Sequence, residues 1–579
     1  MSVGLWIIHI VSSLLFGIML ELNHSRWIGW LLFLAVFVLF PIVVRKTGSG
    51  ILKFFFWMGC LAVYAGIFLF SWPRTEAVPA STAAHPDVTP VISVDKGDIT
   101  GVFNKDHSVE IYAGIPYAAP PVGELRWKKP QEVSSWEGIR ACDKFAPMSM
   151  QKTNIPIIDS LTRIIGYHEY QPFAEHNTAP VSEDSLYLNV WKPAGDAEKL
   201  PVIVYIHGGS LQTGQAWYQD YSGESFAKNG VIVVNMAYRL GVFGFLADET
   251  MLKEEGTTGN YGLLDQIKAL EWVQKNISAF GGDPDNVTLV GESAGAVCVD
   301  ALCVSPLAKG LFRRAVMESS TVSSKNPPHS YRSFDEALSS GRELLDRYAC
   351  TSIEDLRKLD ASTITDEMYT QHHITVDGYV LPDTPHNLRA QGIHNEEALL
   401  HGFNAEESGP FILFDKANLK NYETKIRTSF GEAADEVLAL YPAETNEQAD
   451  RNWAEVYGAQ FFNYSHYCVN QLENENDVPV YEYLFTKKNG RLSCWHSGEM
   501  IYVFGMIRKN AKQFTESDYE LSRIMHAYWI NFAKTGDPNG EGLPEFPINS
   551  DNKKIMELGD HVGMIEEPYL KLYAILENH

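Results

Sequence analysis

The architecture of this chain follows from one run of ten residues, Val287-Thr288-Leu289-Val290-Gly291-Glu292-Ser293-Ala294-Gly295-Ala296. Its first four residues are mostly apolar and β-branched, which is typical of a buried strand. Gly291, Ser293 and Gly295 follow as Gly-x-Ser-x-Gly, and a helix-like run begins at Ala294. An ordinary glycine-bracketed turn is the alternative interpretation. The strand before the turn and the helix after it favour a nucleophile elbow, whose serine stands clear of the backbone to attack a carbonyl.

Strands and helices alternate on both sides of this run. Short strands are predicted at 91–94, 99–102, 186–191, 201–206 and 231–235, and apolar residues recur at helical spacing through 262–280. Residues 325–395 show several helical patterns and few strands, which indicates a helical cap or insertion. The alternation predicts an α/β fold with a largely parallel sheet and crossover helices.

The charge of the chain is strongly asymmetric. The 579 residues carry a net charge of −25, and residues 1–73 carry +3 because four basic residues face a single glutamate, so the remainder carries −28. Such an acidic surface argues against nucleic-acid binding and favours a solvated enzyme. The hydrophobic content of 45% is enough for a large core.

The first 73 residues contain three nearly continuous apolar runs, at 3–22, 27–44 and 54–72. Each is close to the ~20 residues that cross a bilayer as a helix. A cleaved signal peptide is the alternative for the first run, but no basic residue precedes it and two more runs follow. A buried globular hairpin is disfavoured because nearly every face is apolar. The sequence therefore predicts a membrane segment of about three transmembrane helices.

The loops between these runs predict an orientation. Arg45, Lys46 and Lys53 lie in the second loop, whereas Arg26 is the only lysine or arginine in the first. The positive-inside rule places the second loop in the cytoplasm of a multi-pass cell-membrane protein, with everything after the third run extracytoplasmic. Residues 74–90 are rich in Pro, Ala, Thr and Ser and are interpreted as a linker, which leaves 91–579 as the catalytic domain.

A second glycine-rich turn, His207-Gly208-Gly209-Ser210, directly follows the predicted strand at 201–206. A turn of this kind exposes backbone N–H groups, and N–H groups aimed at one point form an oxyanion hole. An ordinary strand-end turn is the alternative. The elbow downstream favours the oxyanion hole.

A catalytic triad also needs an acidic residue and then a histidine after the serine in chain order. Glu406 and Glu407 follow an apolar run, and spacing alone does not decide which of them is the triad acid. The alternative is that both are solvated charges on the surface. His496 lies in a polar stretch before an apolar run, whereas His526 stands at helical spacing among apolar residues and is interpreted as structural. Neither His-Glu-x-x-His nor Cys-x-x-Cys occurs, so no metal or cofactor site is predicted.

These motifs, taken in order, resemble those of the type-B carboxylesterase and cholinesterase family of α/β-hydrolases. The resemblance runs from about residue 91 to the C-terminus. The matching motifs lie at 114–127, 183–189, 207–210, 235–246, 280–284, 291–296 and 531–539. The resemblance implies the α/β-hydrolase fold, with a mostly parallel central sheet flanked by helices. In this chain the membrane segment precedes that fold.

The resemblance also implies roles for individual residues. Ser293 matches the family nucleophile, Glu407 matches the triad acid, and His496 matches the triad histidine. Arg126 and Glu183 match a salt bridge that holds the N-terminal loop of the domain. The implied reaction is ester hydrolysis through an acyl-enzyme on the serine.

The remaining matches concern the oxyanion hole and the cysteines. The resemblance implies that the N–H groups of Gly209, Ser210 and Ala294 form the hole, although many relatives have a glycine in place of Ser210. Ser185 stands where secreted animal relatives carry a disulfide cysteine, and residues 147–151 lack its partner. The chain therefore looks more like a bacterial relative without that disulfide.

The sequence as a whole predicts a membrane-anchored serine carboxylesterase that acts on small-molecule esters. The expected partners are the ester substrate and the lipid bilayer, with no nucleic acid, metal or cofactor. A non-catalytic adhesion or binding protein on the same fold is the alternative, and the presence of all the candidate catalytic residues disfavours it.

Overall fold

The computed structural model describes residues 3–153, 157, 179–218, 221–365, 371–488, 494–507 and 514–579. The chain divides into two units. One contains Met1–Ala77 with Thr153–Pro180, and the other contains Val78–Lys152 with Val181–His579. We call them the helical unit and, after the function that the sequence predicts, the catalytic unit.

Three apolar helices make up most of the helical unit: α1 (Val3–Leu22), α2 (Trp27–Arg45) and α3 (Gly50–Phe70). All three are long and apolar enough to cross a membrane. The third begins four residues before the predicted run, because Lys53 interrupts the apolar pattern without ending the helix. A lysine near the end of a spanning helix extends its charged tip toward the membrane surface.

Polar side chains join these helices on their inner faces. The Ser13 hydroxyl of α1 and the Tyr64 hydroxyl of α3 lie 2.8 Å apart, and both side chains are buried. The Phe16 ring stacks on Tyr64 with centroids 4.6 Å apart. His9, also buried, lies 3.2 Å from the Phe37 carbonyl oxygen of α2. Large apolar side chains cover the outer faces, as expected for helices that face lipid.

An eleven-stranded sheet forms the centre of the catalytic unit within the described residues. We number its strands in chain order: β1 (Val102–Phe103), β2 (Val109–Pro116), β3 (Tyr187–Pro193), β4 (Leu200–Ile206), β5 (Ile232–Met236), β6 (Gly282–Glu292), β7 (Arg314–Glu318), β8 (Leu399–Asn404), β9 (Val480–Phe485), β10 (Lys554–Leu558) and β11 (Val562–Glu566). Their spatial order is β11-β10-β9-β8-β7-β6-β4-β5-β3-β2-β1.

The central pairs of this sheet, from β5 through β10, are parallel, and both margins are antiparallel. The α/β class and the mostly parallel sheet predicted from the sequence are confirmed. Strands β4 to β8 are buried almost throughout, as parallel strands covered on both faces must be. Because parallel strands end at one edge, the loops that follow β4, β6, β8 and β9 meet there.

Shorter strands and the helices surround the sheet. The small sheets pair Ile92–Val94 with Gly97–Thr100 and Ile139–Ala141, Met148–Ser149 with Val181–Ser182, and Tyr331–Arg332 with Ile374–Thr375. The helices are α4 (Glu224–Lys228), α5 (Gly241–Phe245), α6 (Glu249–Glu255), α7 (Tyr261–Asn276), α8 (Ala294–Val304), α9 (Phe334–Arg347), α10 (Ile353–Arg357), α11 (Ala361–Ile364), α12 (Pro385–Ala390), α13 (Tyr422–Phe430), α14 (Ala434–Leu440), α15 (Asn446–Gly458), α16 (Tyr464–Glu475), α17 (Met500–Val503), α18 (Glu516–Thr535) and α19 (Leu570–Asn578).

A buried ion cluster ties α8, the helix behind the elbow, to two other helices. The guanidinium of Arg389 in α12 donates to Asp300 of α8 at 2.8 Å and to Glu396 at 2.7 Å, and it also contacts Glu473 of α16. All four side chains have no exposed surface. One cation therefore compensates three buried carboxylates, and burial raises the pKa of Glu473.

Replacing this cation should strongly destabilise the catalytic unit. In Arg389→Met the three carboxylates lose their partner, and breaking a buried pair costs about 3–5 kcal/mol of unfolding free energy. The matched control is Arg313→Met, because Arg313 and Glu397 form an ion pair that is about half exposed and contributes under about 1 kcal/mol. Melting temperatures of the two variants measure the difference, and equal values would contradict the assignment.

Candidate active site

The run that opens the sequence forms a strand, a tight turn and a helix. Strand β6 ends at Glu292, helix α8 begins at Ala294, and Ser293 between them has φ 55° and ψ −126°. A Cβ on Gly295 would lie 2.1 Å from the Ile206 carbonyl oxygen of β4. No side chain fits there, so glycine is required by the close approach of the first turn of α8 to the end of β4. A serine in the left-handed region stores backbone strain of the kind found at functional sites.

His496 lies between Ser293 and an acidic residue. Its Nε2 atom is 2.7 Å from the Ser293 Oγ, and its Nδ1 atom is 2.5 Å from the Glu407 Oε2. The other oxygen of Glu407 accepts the Asn404 backbone N–H at 2.7 Å, which fixes the carboxylate. The structure thus brings together three predicted residues that are separated by 114 and 89 positions along the chain, in a geometry suited to moving a proton from serine to imidazole.

The structure also separates the two neighbouring glutamates. Glu407 is buried and contacts His496, whereas Glu406 lies 2.5 Å from the exposed Lys488. His526, the other candidate histidine, lies in α18 and contacts the Val503 carbonyl oxygen at 2.7 Å. Burial lowers the pKa of His526. Its position agrees with the structural interpretation drawn from its spacing.

The glycine-rich turn after β4 packs against the elbow. A Cβ on Gly208 would lie 3.0 Å from the Cβ of Ser293, so this turn borders the serine. Gly209 has φ 109° and Ser210 has φ 56°, so Ser210 adopts the left-handed angle that a glycine would take without strain. Within the described part of the chain, the N–H groups of Gly209, Ser210 and Ala294 form no hydrogen bond. They are therefore available to an incoming oxyanion.

Three further carboxylates lie around the histidine, and the sequence analysis gave them no role. Glu292 Oε1 is 3.5 Å from His496 Nε2 and accepts the Ser497 hydroxyl at 2.6 Å. Glu499 accepts the Ser319 hydroxyl at 2.9 Å and also contacts the Asn404 amide. Glu318, at the end of β7, is buried beside them. Glu292 and Glu499 flank Ser293 and His496 in the sequence, which is a signal that could have identified them.

The carboxylates change the acidity of the site. Burial alone would lower the pKa of His496, but the negative charges of Glu407 and Glu292 and the hydrogen bond to Glu407 raise it to about 9. Burial and the charges of Glu407 and Glu292 raise the pKa of Glu499 to about 8. Burial also raises the pKa of Glu292. The site therefore favours a protonated imidazole when it is at rest.

Aromatic side chains cover one side of the histidine. The ring centroids of Phe411 and Phe462 lie 5.1 Å and 4.9 Å from that of His496, and 5.2 Å from each other. His329 packs on Phe462 at 5.6 Å, and burial lowers the pKa of His329. An apolar wall beside His496 suits a ligand with an apolar group.

Two contacts in the N-terminal part of the catalytic unit involve residues that the sequence analysis named. Arg126 binds Glu183 through two hydrogen bonds of 2.6 Å and 2.7 Å and donates a third to the Leu359 carbonyl. The Ser149 hydroxyl donates to the Ser185 hydroxyl at 3.0 Å, and both are buried. These two serines lie where secreted animal relatives are expected to carry a disulfide. In this chain a hydrogen bond joins the two positions. Within the described part of the catalytic unit, Cys142, Cys298, Cys303, Cys350 and Cys468 form no disulfide.

Comparisons with known proteins agree on one family. A family model described as "Carboxylesterase family" matches residues 88–574. The chain is 31% identical over 538 residues to "Fumonisin B1 esterase" of Sphingopyxis macrogoltabida, with 88% of this chain and 94% of the relative covered. It is 31% identical over 503 residues to "Para-nitrobenzyl esterase" of Bacillus subtilis (strain 168), covering 83% and 96%. It is 30% identical over 515 residues to "Carboxylesterase 1C" of Mus musculus, covering 82% and 90%.

Proposed function

The chain belongs to the carboxylesterase family and is a carboxylic ester hydrolase, and from this premise we propose that it is a membrane-anchored serine esterase acting through an acyl-enzyme on Ser293. The observation that carries the proposal is the continuous contact from Ser293 through His496 to Glu407, with distances of 2.7 Å and 2.5 Å. Geometry of this kind activates a serine that would otherwise be a weak nucleophile.

The first half of the reaction forms the acyl-enzyme. Neutral His496 takes the proton from the Ser293 hydroxyl as the Oγ atom attacks the ester carbonyl carbon. Glu407 keeps the Nδ1 proton of the ring in place and stabilises the imidazolium that results. The N–H groups of the hole, from Gly209, Ser210 and Ala294, bind the oxyanion. Removing one such donor typically costs about 10²–10³ in kcat.

The second half releases the acid. The imidazolium of His496 returns its proton to the alkoxide leaving group as the C–O bond of the ester breaks. A water molecule then loses a proton to the same imidazole and attacks the acyl carbon. The tetrahedral intermediate collapses, Ser293 regains its proton from His496, and the carboxylic acid leaves.

Small-molecule esters are the proposed substrates. Two relatives are named for a fumonisin ester and a nitrobenzyl ester, which indicates that this fold accepts varied alcohol groups. The test is labelling of the full-length chain by a fluorophosphonate, which reacts with activated serines. We expect labelling at Ser293. An adhesion protein on the same fold would leave Ser293 unlabelled.

The membrane anchor is proposed to be the three apolar helices, with the catalytic unit outside the cytoplasm. Support comes from the length of the helices and from three basic residues at the junction of the second and third: Arg45 ends α2, Lys46 follows it, and Lys53 lies in the first turn of α3. Protease added to intact cells should then digest the catalytic unit. Digestion only after the cells are lysed would reverse the proposed orientation.

The reaction should require alkaline conditions, because only neutral His496 accepts the serine proton. The charges of Glu407 and Glu292 raise the pKa of His496 to about 9, so kcat/KM should rise with pH toward that value. Glu292→Gln removes one of these charges, and the rise should move to lower pH by about one unit. The exposed control Glu397→Gln should leave the profile unchanged. A Glu292→Gln profile identical to that of the wild type would show that this charge does not act on the histidine.

A further inference from the structure

An exposed apolar cluster lies just after the acidic residue of the proposed triad. Phe411, Leu413, Phe414 and Leu419 are 45%, 46%, 98% and 49% exposed, and we call these four side chains the apolar lip. They are four of the eleven exposed large apolar side chains in the described part of the catalytic unit, yet they fall within nine residues. Exposed apolar side chains scattered singly are ordinary, whereas several on one short segment indicate a candidate interaction surface.

The lip rests on a backbone that is held in place. Ile412 and Ala417 alternate with its members and are buried in the hydrophobic cluster around α13 and α15. The Ile412 N–H donates to the Ser408 carbonyl at 3.1 Å, and the Ala417 N–H donates to the Asp450 carboxylate at 3.0 Å. The Leu419 N–H is bound by Asn446 at 3.0 Å. The buried neighbours and the backbone hydrogen bonds therefore keep the four side chains exposed.

The lip is continuous with the proposed catalytic residues. Its first member, Phe411, contacts both the His496 ring and Phe462, and it follows Glu407 by four residues. Leu413 and Phe414 follow Phe411 by two and three residues, so an apolar group that binds to them lies a short stretch of chain away from the aromatic wall of the site. Phe411 therefore connects the lip to His496, which contacts Ser293.

The chain itself indicates what covers this surface. Lys416 and Lys420 are exposed on the segment, although residues 74–579 together carry −28. Lys416 lies 3.5 Å from the Asp450 carboxylate and Asp415 is exposed beside it, so Lys420 is the main positive charge that the segment offers. A lysine beside apolar side chains favours an anionic lipid surface. Only seven residues, 71–77, connect the end of α3 to the start of the catalytic unit. If the helices span a bilayer, a lipid surface is always present at high effective concentration.

We propose that the apolar lip inserts into the lipid–water boundary of the bilayer and admits membrane-dissolved esters, those with long acyl chains, to Ser293. This inference rests on the proposed esterase function and deepens it by naming the substrate class. A second copy of this chain is the competing occupant of the lip, and the experiments below separate it from lipid.

The first experiment compares two esters with the full-length chain in vesicles of phosphatidylcholine and phosphatidylglycerol. The lip variant Leu413→Ser/Phe414→Ser/Leu419→Ser leaves Phe411 and the catalytic residues intact. Turnover of p-nitrophenyl palmitate dissolved in the vesicles should fall at least about tenfold, because three apolar contacts with lipid are lost. Turnover of water-soluble p-nitrophenyl acetate should stay within about twofold of the wild type.

The control variant Ile139→Ser/Ile393→Ser/Ile548→Ser changes three exposed apolar residues outside the lip, and it should affect neither ester. Equal losses on both esters, or no loss on the palmitate, would overturn the proposal. A wild-type protein that cleaves only the acetate would also overturn it. If the wild type cleaves neither ester, the proposed function itself fails, and the second experiment then decides the role of the lip.

The second experiment detects insertion without catalysis. Phe414→Cys in the full chain, with Cys350→Ser to remove the partly exposed thiol, is labelled with the fluorophore NBD. Its emission should increase severalfold in vesicles relative to detergent and should be quenched by spin-labelled phosphatidylcholine. The same label at Ile393→Cys should not respond. Absence of quenching at position 414, or an emission change that depends on protein concentration in detergent, would exclude lipid and indicate a second copy instead.

Discussion

Ser293→Ala should reduce kcat/KM for p-nitrophenyl acetate by about 10⁵-fold or more, since loss of a triad serine removes the covalent route altogether. The hydroxyl of Ser293 contacts His496 Nε2 at 2.7 Å, and alanine keeps the Cβ atom that packs beside Gly208. The turn should therefore survive while the nucleophile is lost. The measurement is a steady-state assay on the purified full-length chain, with fluorophosphonate labelling of the same sample.

The melting temperature of Ser293→Ala is the control that separates loss of the nucleophile from loss of the fold. Removing a serine from a left-handed position should leave the melting temperature close to that of the wild type. Residual activity of about 10³–10⁴ over water would remain from the oxyanion hole and substrate binding. Full turnover by Ser293→Ala would end the proposal that this serine is the nucleophile.

Glu407→Gln should lower kcat by about 10³–10⁴-fold, which is the second-largest effect we expect. The amide is similar in size, so the Asn404 N–H contact can persist, but its NH₂ group would face His496 Nδ1 and favour the wrong tautomer. Glu292 does not replace it, because its carboxylate lies 3.5 Å from Nε2, on the serine side of the ring. The assay is kcat at a pH above the rise predicted for the wild type.

Glu406→Gln is the matched control for this experiment. Glu406 is the adjacent residue in the chain, and its carboxylate binds Lys488 at the surface. Its loss should change kcat by less than about twofold, as exposed ion pairs contribute little. If Glu406→Gln were the slower of the two variants, the acid of the proposed triad would have to be reassigned.

Local sequence patterns were enough to predict the elements around the serine. The elbow consists of a strand, two glycines and a helix that are contiguous in the chain, so its local sequence was enough to predict it. The alternation of strands and helices was enough to predict the α/β class. The apolar helices of the first unit were predicted to within a few residues, except where Lys53 obscured the start of α3.

Other features depend on contacts between distant parts of the chain. Spacing could not choose between Glu406 and Glu407, since adjacent residues in a turn point to opposite sides and only the folded strand ends decide which side holds the histidine. The buried carboxylates around His496 come from β6, β7 and the turn before α17, and no local pattern links them. The apolar lip has the composition of a core segment, so its exposure appears only in the structure.

The hydrogen bond between Ser149 and Ser185 has a consequence for how this protein can be made and where it can work. With hydroxyls in place of a covalent bridge, the packing between Ser149 and Ser185 needs no oxidant to form. Burial raises the pKa of the Cys298 and Cys142 thiols to about 12, which keeps them from reacting as thiolates. Dithiothreitol in the buffer, or production in a reducing cytosol, should therefore leave the enzyme unharmed.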